Sequence, residues 1–249
     1  DGSNKVSQWM DLSGNGNHAV SWSESGETHP STISRDGNTW LDFDTSDKLK
    51  SGIPGLLQDN FKTVIFVYNR QSQGSDQGAA LFSNYTGNSG HVDFGNWLGS
   101  NILRLDAGGN RSTVSSINWG EDSLMGISYE SNTTTVFNNG PLASTISNNV
   151  GSFDYTTLSI GGWYDSTWAS DFRGFGGYLA EVLVFDKVLD ENERAEVNSY
   201  LSTKWGLEST VDSDGDGVVD ASDFAPTDPN VLYDLTVDMT GKPSVLSNA

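Results

Sequence analysis

The feature that most constrains this chain is a series of short β-type runs separated by turn-forming residues. Phe61–Tyr68 and Leu179–Phe185 are rich in β-branched and aromatic residues, and Trp40–Asp44 alternates apolar and polar side chains. Gly, Asn, Ser and Asp fill the connections, for example at 138–141 and 174–177. Many short strands at such spacing are typical of an antiparallel sandwich or barrel. The sequence therefore predicts an all-β fold. Two runs, Val64–Val67 and Val182–Phe185, look apolar on both faces, as expected of buried strands.

One helix is predicted near the end of the β-rich region. Asp190 can cap it, and Glu193, three residues later, completes a variant of the capping box. Gly206 provides the stop signal. Between them, larger side chains recur at helical spacing: Val197, Tyr200, Leu201 and Trp205. We expect a short amphipathic helix packed on the sandwich.

The charge balance limits the possible partners. The chain has 13 Lys and Arg against 33 Asp and Glu, a net charge of −20, so it repels nucleic-acid phosphates and no nucleic-acid partner is predicted. No apolar run approaches the ~20 residues of a membrane span. Cys is absent, which excludes disulfides, Cys-type zinc sites and thiol catalysis. An acidic chain of this kind, rich in Asp, Asn, Gly and Ser, is typical of a bacterial secreted or surface protein that uses calcium instead of disulfides. An extracellular or cell-surface location is predicted.

The sharpest local motif lies at residues 212–223. Five Asp occupy loop positions 1, 3, 5, 9 and 12, and Gly217 at position 6 allows a sharp turn. Position 7 would offer its backbone carbonyl to a cation. The predicted Ca²⁺ ligands are Asp212, Asp214, Asp216, Val218, Asp220 and Asp223. Carboxylates this close repel one another unless a cation lies between them. The alternative is a solvated acidic linker.

The acidic segment resembles a thrombospondin type 3 repeat. That family carries Asp-x-Asp-Gly-Asp-Gly followed by a proline-containing turn, here Phe224–Asn230, although its usual Cys is missing. A dockerin has a similar loop but needs two, and one is found. Composition changes after Leu207, and residues 212–249 contain eight Asp and one Lys. We therefore predict two units, 1–208 and 209–249, the second a calcium-binding repeat that begins a linker or another module. This arrangement suits a larger multidomain surface protein.

The body of the chain resembles bacterial laminin G-like domains of the concanavalin A-like group, which are related to pentraxins. The resemblance spans roughly residues 1–207 and implies two antiparallel sheets packed face to face as a jelly-roll sandwich. It does not fix a ligand, because the fold hosts lectins, adhesins, hydrolases and spacers. The segments that carry it are Trp9–Ala19, Leu41–Asp47, Leu158–Gly162, Gly177–Leu189 and Trp205–Leu207.

Two loops are candidate ligand sites. In pentraxin-like relatives, ligand binds through calcium at one edge of the sandwich, and the corresponding loops here are Gln71–Gly78 and Trp163–Asp165. This resemblance makes Asp76 and Asp165 further candidate calcium ligands; the alternative is that both are solvated turn residues. The second loop is also rich in aromatic rings, which stack on the apolar faces of sugars. The predicted ligand-binding residues are Trp163, Tyr164, Asp165, Trp168, Asp171 and Arg173. Alternatively, these rings fold back and cap the sandwich.

No catalytic residues are predicted. Hydrolytic members of the jelly-roll group carry Glu-x-Asp-x-x-Glu or a variant on one strand, which places the acids on one sheet face. No such triplet occurs, and the three His show no ligand spacing. We predict a non-catalytic extracellular binding or adhesion module, with a glycan as the favoured ligand. A polysaccharide-active enzyme and a spacer without ligand remain the alternatives.

Overall fold

A computed structural model describes most of the chain. The described residues are 4–21, 28–51, 63–72, 79–84, 92–96, 102–107, 110–116, 120–130, 133–147, 158–162, 174–231, 237–238 and 242–243. Their β-strands lie in two large antiparallel sheets and one short hairpin. One helix is present among these residues. The predicted all-β, two-sheet antiparallel jelly-roll sandwich with one short helix is confirmed.

The first sheet has eight strands in the order β1-β2-β5-β14-β7-β8-β9-β10. Their bounds are β1 Gln8–Trp9, β2 Ala19–Ser21, β5 Leu49–Ser51, β7 Ala79–Asn84, β8 Val92–Asn96, β9 Ile102–Ala107, β10 Asn110–Ser116 and β14 Leu158–Ile160. The second sheet has seven strands in the order β13-β12-β11-β6-β15-β4-β3. Their bounds are β3 Ser31–Arg35, β4 Asn38–Phe43, β6 Thr63–Ser72, β11 Asp122–Glu130, β12 Thr133–Asn138, β13 Leu142–Ser147 and β15 Gly176–Phe185. A separate hairpin joins β16 Val237–Asp238 to β17 Lys242–Pro243.

The seven-stranded sheet buries both of its faces. Along β6, Phe66 and Tyr68 belong to the core cluster between the sheets, whereas Ile65 and Val67 belong to a second cluster beneath the helix. The prediction of burial on both faces is therefore confirmed for β6. It is wrong for the end of β15, where Val184 is exposed. Val184 alternates with Val182, which packs against the inter-sheet cluster, whereas Leu183 and Phe185 pack against the cluster beneath the helix.

The predicted helix, α1, runs over Glu191–Trp205 with its predicted cap. The Asp190 side chain accepts the Glu193 N–H at 2.9 Å, Glu193 accepts the Asp190 N–H at 3.2 Å, and Gly206 ends the helix with φ +70°. Leu201 packs with buried residues of the seven-stranded sheet. The buried residues of the helix are Ala195, Asn198, Leu201 and Ser202. Tyr200 recurs at the predicted helical spacing, but it is exposed and does not belong to the buried face of the helix.

The core continues past the predicted boundary at residue 208. Leu207 and Val211 are buried in the cluster beneath α1, together with Leu201. The start of the acidic segment therefore packs on the sandwich, and the two-unit division remains a prediction. No helix among the described residues is both long and apolar enough to cross a membrane.

Candidate cation site and the loop edge of the sandwich

The acidic loop, residues 212–223, wraps around its first aspartate. Asp212 Oδ1 accepts the Gly215 N–H at 2.8 Å, and its Oδ2 accepts the Gly217 N–H at 2.9 Å. Both glycines have positive φ, +82° and +98°, which the winding of the loop requires and which other residues rarely adopt. The predicted turn role of Gly217 is thereby explained: it brings the backbone back onto Asp212.

The same winding gathers carboxylate oxygens at the centre of the loop. One oxygen each of Asp212, Asp214 and Asp216 lies within 4.8 Å of the others. Asp214 Oδ1 accepts the Asp216 N–H, and Asp216 Oδ1 accepts the Val218 N–H at 2.7 Å. Three carboxylate oxygens of the loop are buried without a hydrogen-bond partner, namely Asp214 Oδ2, Asp216 Oδ2 and Asp223 Oδ2. Buried carboxylate oxygens normally have a partner, so an oxygen-preferring cation fits here.

Electrostatic interactions indicate that a fourth acid, Asp223, lies near the same cluster of carboxylate oxygens. Burial, together with the charges of Asp216, Asp223 and Asp212, raises the pKa of Asp214 to about 6. Burial and the charges of Asp223 and Asp212 also raise the pKa of Asp216. A cation would compensate the clustered negative charge. The structure thus associates four of the predicted ligands, Asp212, Asp214, Asp216 and Asp223.

Asp220 makes different contacts from the other four acids. Its Oδ1 accepts the Ser213 N–H at 2.8 Å, and its Oδ2 accepts the Ser213 hydroxyl at 2.7 Å. Its own N–H donates to the Val211 carbonyl at 2.8 Å. Asp220 therefore clamps the two ends of the loop together, and its assignment as a position-9 ligand stays a prediction. The carbonyl of Val218 stays a predicted ligand.

The loop is also attached to the jelly roll. The Asp212 N–H donates to the carbonyl of Asn139 in the β12–β13 turn at 3.0 Å. From the helix, Asn198 Nδ2 donates to the Ser213 carbonyl at 3.2 Å. Neither contact follows from the spacing of the acidic motif, because both partners come from remote parts of the sequence.

The predicted sugar-binding residues at 163–173 and the candidate Asp76 lie outside the described residues. The structure does describe where these segments begin and end. Gly162 forms a bridge to Gly174, and Ser72 pairs with Gly176. The flanks of segments 73–78 and 163–173 therefore lie at the same edge of the sandwich.

This edge is built by close backbone contacts. A Cβ at Gly174 would lie 1.8 Å from the Thr45 carbonyl oxygen, and a Cβ at Gly161 would lie 2.5 Å from the Phe43 ring. The adjacent turn is held by Asp47, which is buried and accepts the Asp44 N–H at 2.8 Å. Asp47, noted in the sequence only through the laminin G-like resemblance, thus supports the flanks of the aromatic segment.

Comparison with known proteins identifies the fold. No family model matches the sequence, and no curated protein matches it. Among solved structures, domain 4 of AbnA, a GH43 extracellular arabinanase from Geobacillus stearothermophilus, in complex with arabinotriose, is similar over 76% of this chain and 96% of that chain, with 14% identity and a TM-score of 0.57.

Two other structures cover less of their own chains. Trypanosoma rangeli sialidase is 12% identical over 81% of this chain and 32% of its own, with a TM-score of 0.57. The crystal structure of HCR/D-Sa-GBL1/C is 14% identical over 80% of this chain and 52% of its own, with a TM-score of 0.57. The chain thus spans about a third of the sialidase and about half of the second protein. At these identities the shared property is the two-sheet sandwich fold.

Proposed function

We propose that this chain is a non-catalytic glycan-binding module of laminin G-like type, whose thrombospondin type 3-like C-terminal loop binds Ca²⁺. We further propose that it belongs to an extracellular or cell-surface multidomain protein. The observation that carries the calcium part is the set of three buried carboxylate oxygens without hydrogen-bond partners, on Asp214, Asp216 and Asp223. The glycan part rests on the fold, on the aromatic segment and on the arabinotriose-bound domain that shares the fold.

Calcium suits this donor set because it takes 6–8 oxygen ligands in flexible geometry. Asp212, Asp214, Asp216 and Asp223 would supply carboxylates, and Val218 a carbonyl. When bound, the ion neutralises the repulsion between the acids and holds the loop closed. The N–H groups that donate to Asp212 keep its carboxylate oriented toward the centre.

Calorimetric titration of the chelator-treated chain with CaCl₂ tests the calcium part. We expect one site, abolished in the double variant Asp212→Ala, Asp216→Ala. Asp228→Asn is the matched control, since this exposed acid follows the loop and should leave binding unchanged. Unchanged stoichiometry in the double variant would show that the loop is not the site.

The glycan part is tested at the aromatic segment. An array of oligosaccharides that includes arabinotriose, probed with and without calcium, identifies the ligand. Trp163→Ala or Trp168→Ala should then weaken binding by on the order of 2 kcal/mol if either ring is a hot spot, while the melting temperature stays nearly constant. Tyr200→Ala is a control, because this exposed ring lies on α1. Normal binding by both tryptophan variants would refute the segment as the site, and their unfolding would support the capping role.

The non-catalytic part is supported by the structural contacts that two acids of the sandwich, Glu181 and Asp47, make. Glu181 Oε2 accepts the indole N–H of Trp205 at 2.8 Å and lies 2.8 Å from Lys204 Nζ. Asp47 holds its own turn. Asp47 has an acidic neighbour, because burial and then the charge of Asp47 raise the pKa of Asp42, but Asp47 itself is only 1% exposed. Sustained release of product from arabinan, β-glucan, agar or alginate, abolished by a single carboxylate change, would instead favour an enzyme. A blank array would favour a spacer.

A further inference from the structure

The turn between β12 and β13 lies directly against the first residue of the acidic loop. A Cβ added at Gly140 would lie 1.6 Å from the carbonyl oxygen of Asp212 and 2.6 Å from its carbonyl carbon. The backbone of Gly140 has φ +105°, which also favours glycine. Any side chain here would therefore collide with the backbone at loop position 1. The Asn-Asn-Gly-Pro sequence identifies a turn but not this contact.

The turn is itself fixed to the centre of the seven-stranded sheet. Asn139 donates its N–H to the Leu124 carbonyl at 2.8 Å, and its Oδ1 accepts the Leu124 N–H at 2.8 Å. Leu124 lies on β11 and is fully buried. The carbonyl of Asn139 then accepts the Asp212 N–H. A continuous series of hydrogen bonds therefore joins the buried strand to the acidic loop.

Helix α1 provides a second attachment. Asn198 is 1% exposed, and its amide group donates to the Ser213 carbonyl. One residue before the loop, Val211 is fully buried under the same helix. The backbone from 211 to 213 is thus held by the sheet, the turn and the helix, without any contribution from a cation.

We propose that the jelly roll is part of the cation site, with Asn139, Gly140 and Asn198 acting as positioning residues. They preset the backbone that carries Asp212, so less of the loop has to be ordered when the cation binds. Because coupling between binding and folding is reciprocal, a cation at the loop also stabilises the sandwich. This inference rests on the proposed calcium function of the loop. If the acidic repeat instead folded by itself on binding calcium, changes in the jelly roll would not alter calcium affinity, and calcium would not stabilise the sandwich.

The test compares two glycine variants of the full chain. Gly140→Ala should raise the Kd for Ca²⁺ at least about tenfold in calorimetric titration, with one site retained. Gly37→Ala is the matched control, because Gly37 also has positive φ, +81°, but no atom lies within 4 Å of its Cβ position. Its Kd should equal that of the wild type. Asn198→Ala should raise the Kd by about threefold or more, since it removes one hydrogen bond to the loop.

Thermal unfolding gives a second readout. The wild-type chain should unfold in one main calorimetric transition that moves to higher temperature in CaCl₂. The shift should be smaller in Asn198→Ala at the same calcium concentration. Asn198→Ala also leaves the β12–β13 turn unchanged, so it carries the test if Gly140→Ala fails to fold.

The outcomes separate the two proposals. If the wild-type chain binds no calcium, the proposed function of the loop is wrong. If the wild type binds calcium but Gly140→Ala and Asn198→Ala bind it equally well, the loop function stands and the positioning role is overturned. A main unfolding transition that calcium leaves unmoved would also overturn it.

Discussion

Replacing Asp220 distinguishes a clamp from a calcium ligand. The Asp220 carboxylate accepts both the N–H and the hydroxyl of Ser213, and both residues are buried. Asp220→Ala leaves two buried donors without a partner, and each costs about 1–3 kcal/mol. We therefore expect the free energy of unfolding, measured in chelator, to fall by about 2–6 kcal/mol. Asp220→Asn can keep both bonds, because its amide oxygen accepts the N–H and its NH₂ donates to the hydroxyl. It should cost less than about 1 kcal/mol.

Urea unfolding with EDTA present measures these changes without any contribution from calcium. Asp216→Asn is the contrasting variant, since its carboxylate belongs to the repelling cluster. Removing that charge should leave stability in EDTA unchanged or raise it, whereas calcium affinity should fall sharply. Asp220→Asn should bind calcium nearly as well as the wild type.

The reverse pattern would refute this reasoning. If Asp220→Asn loses as much calcium affinity as Asp216→Asn, and Asp220→Ala is as stable as the wild type in EDTA, then Asp220 is a ligand. The assignment from loop spacing would then stand.

Three further predictions address the scaffold. Leu201→Ala, which empties a fully buried position under α1, should lower the free energy of unfolding by about 2–5 kcal/mol in urea, and a loss below about 1 kcal/mol would contradict the packing described. Arg35→Lys should lower the melting temperature, because lysine cannot stack between two aromatic rings as the guanidinium does at 4.7 and 4.6 Å; an unchanged melting temperature would contradict this. Gly174→Ala should weaken glycan binding on the array but leave calcium stoichiometry unchanged, since its Cβ would collide with the Thr45 backbone and displace the flank of the aromatic segment; Gly14→Ala, with open space around its Cβ, is the control.

Local signals in the sequence predicted the elements whose contacts are local. The ends of α1 followed from Asp190, Glu193 and Gly206, because capping joins residues three or four positions apart. Strand β6 followed from its run of β-branched and aromatic residues, although it extends to Ser72, past the predicted Tyr68. Its polar end pairs with the start of β15, and that pairing has no local signature.

The contacts that build the cation loop could not be predicted in the same way. The spacing rule placed Asp220 at a ligand position, but Ser213 offers it two donors that the rule does not consider. Nor does any periodicity connect Gly140 with Asp212, since their contact depends on where the chain returns after α1. The aromatic segment 163–173 remains a prediction from residue type alone.

The strand order has a consequence for how the chain assembles during synthesis. Strand β6 lies between β11 and β15, so both of its neighbours are made after it. Until the ribosome has added residues 176–185, β6 has one edge without a partner and apolar side chains on both faces, a combination that favours aggregation. Folding of the sandwich must wait for such long-range pairing, which is slow. Refolding yield should therefore depend strongly on protein concentration, and a nascent chain stalled before residue 176 should bind chaperones.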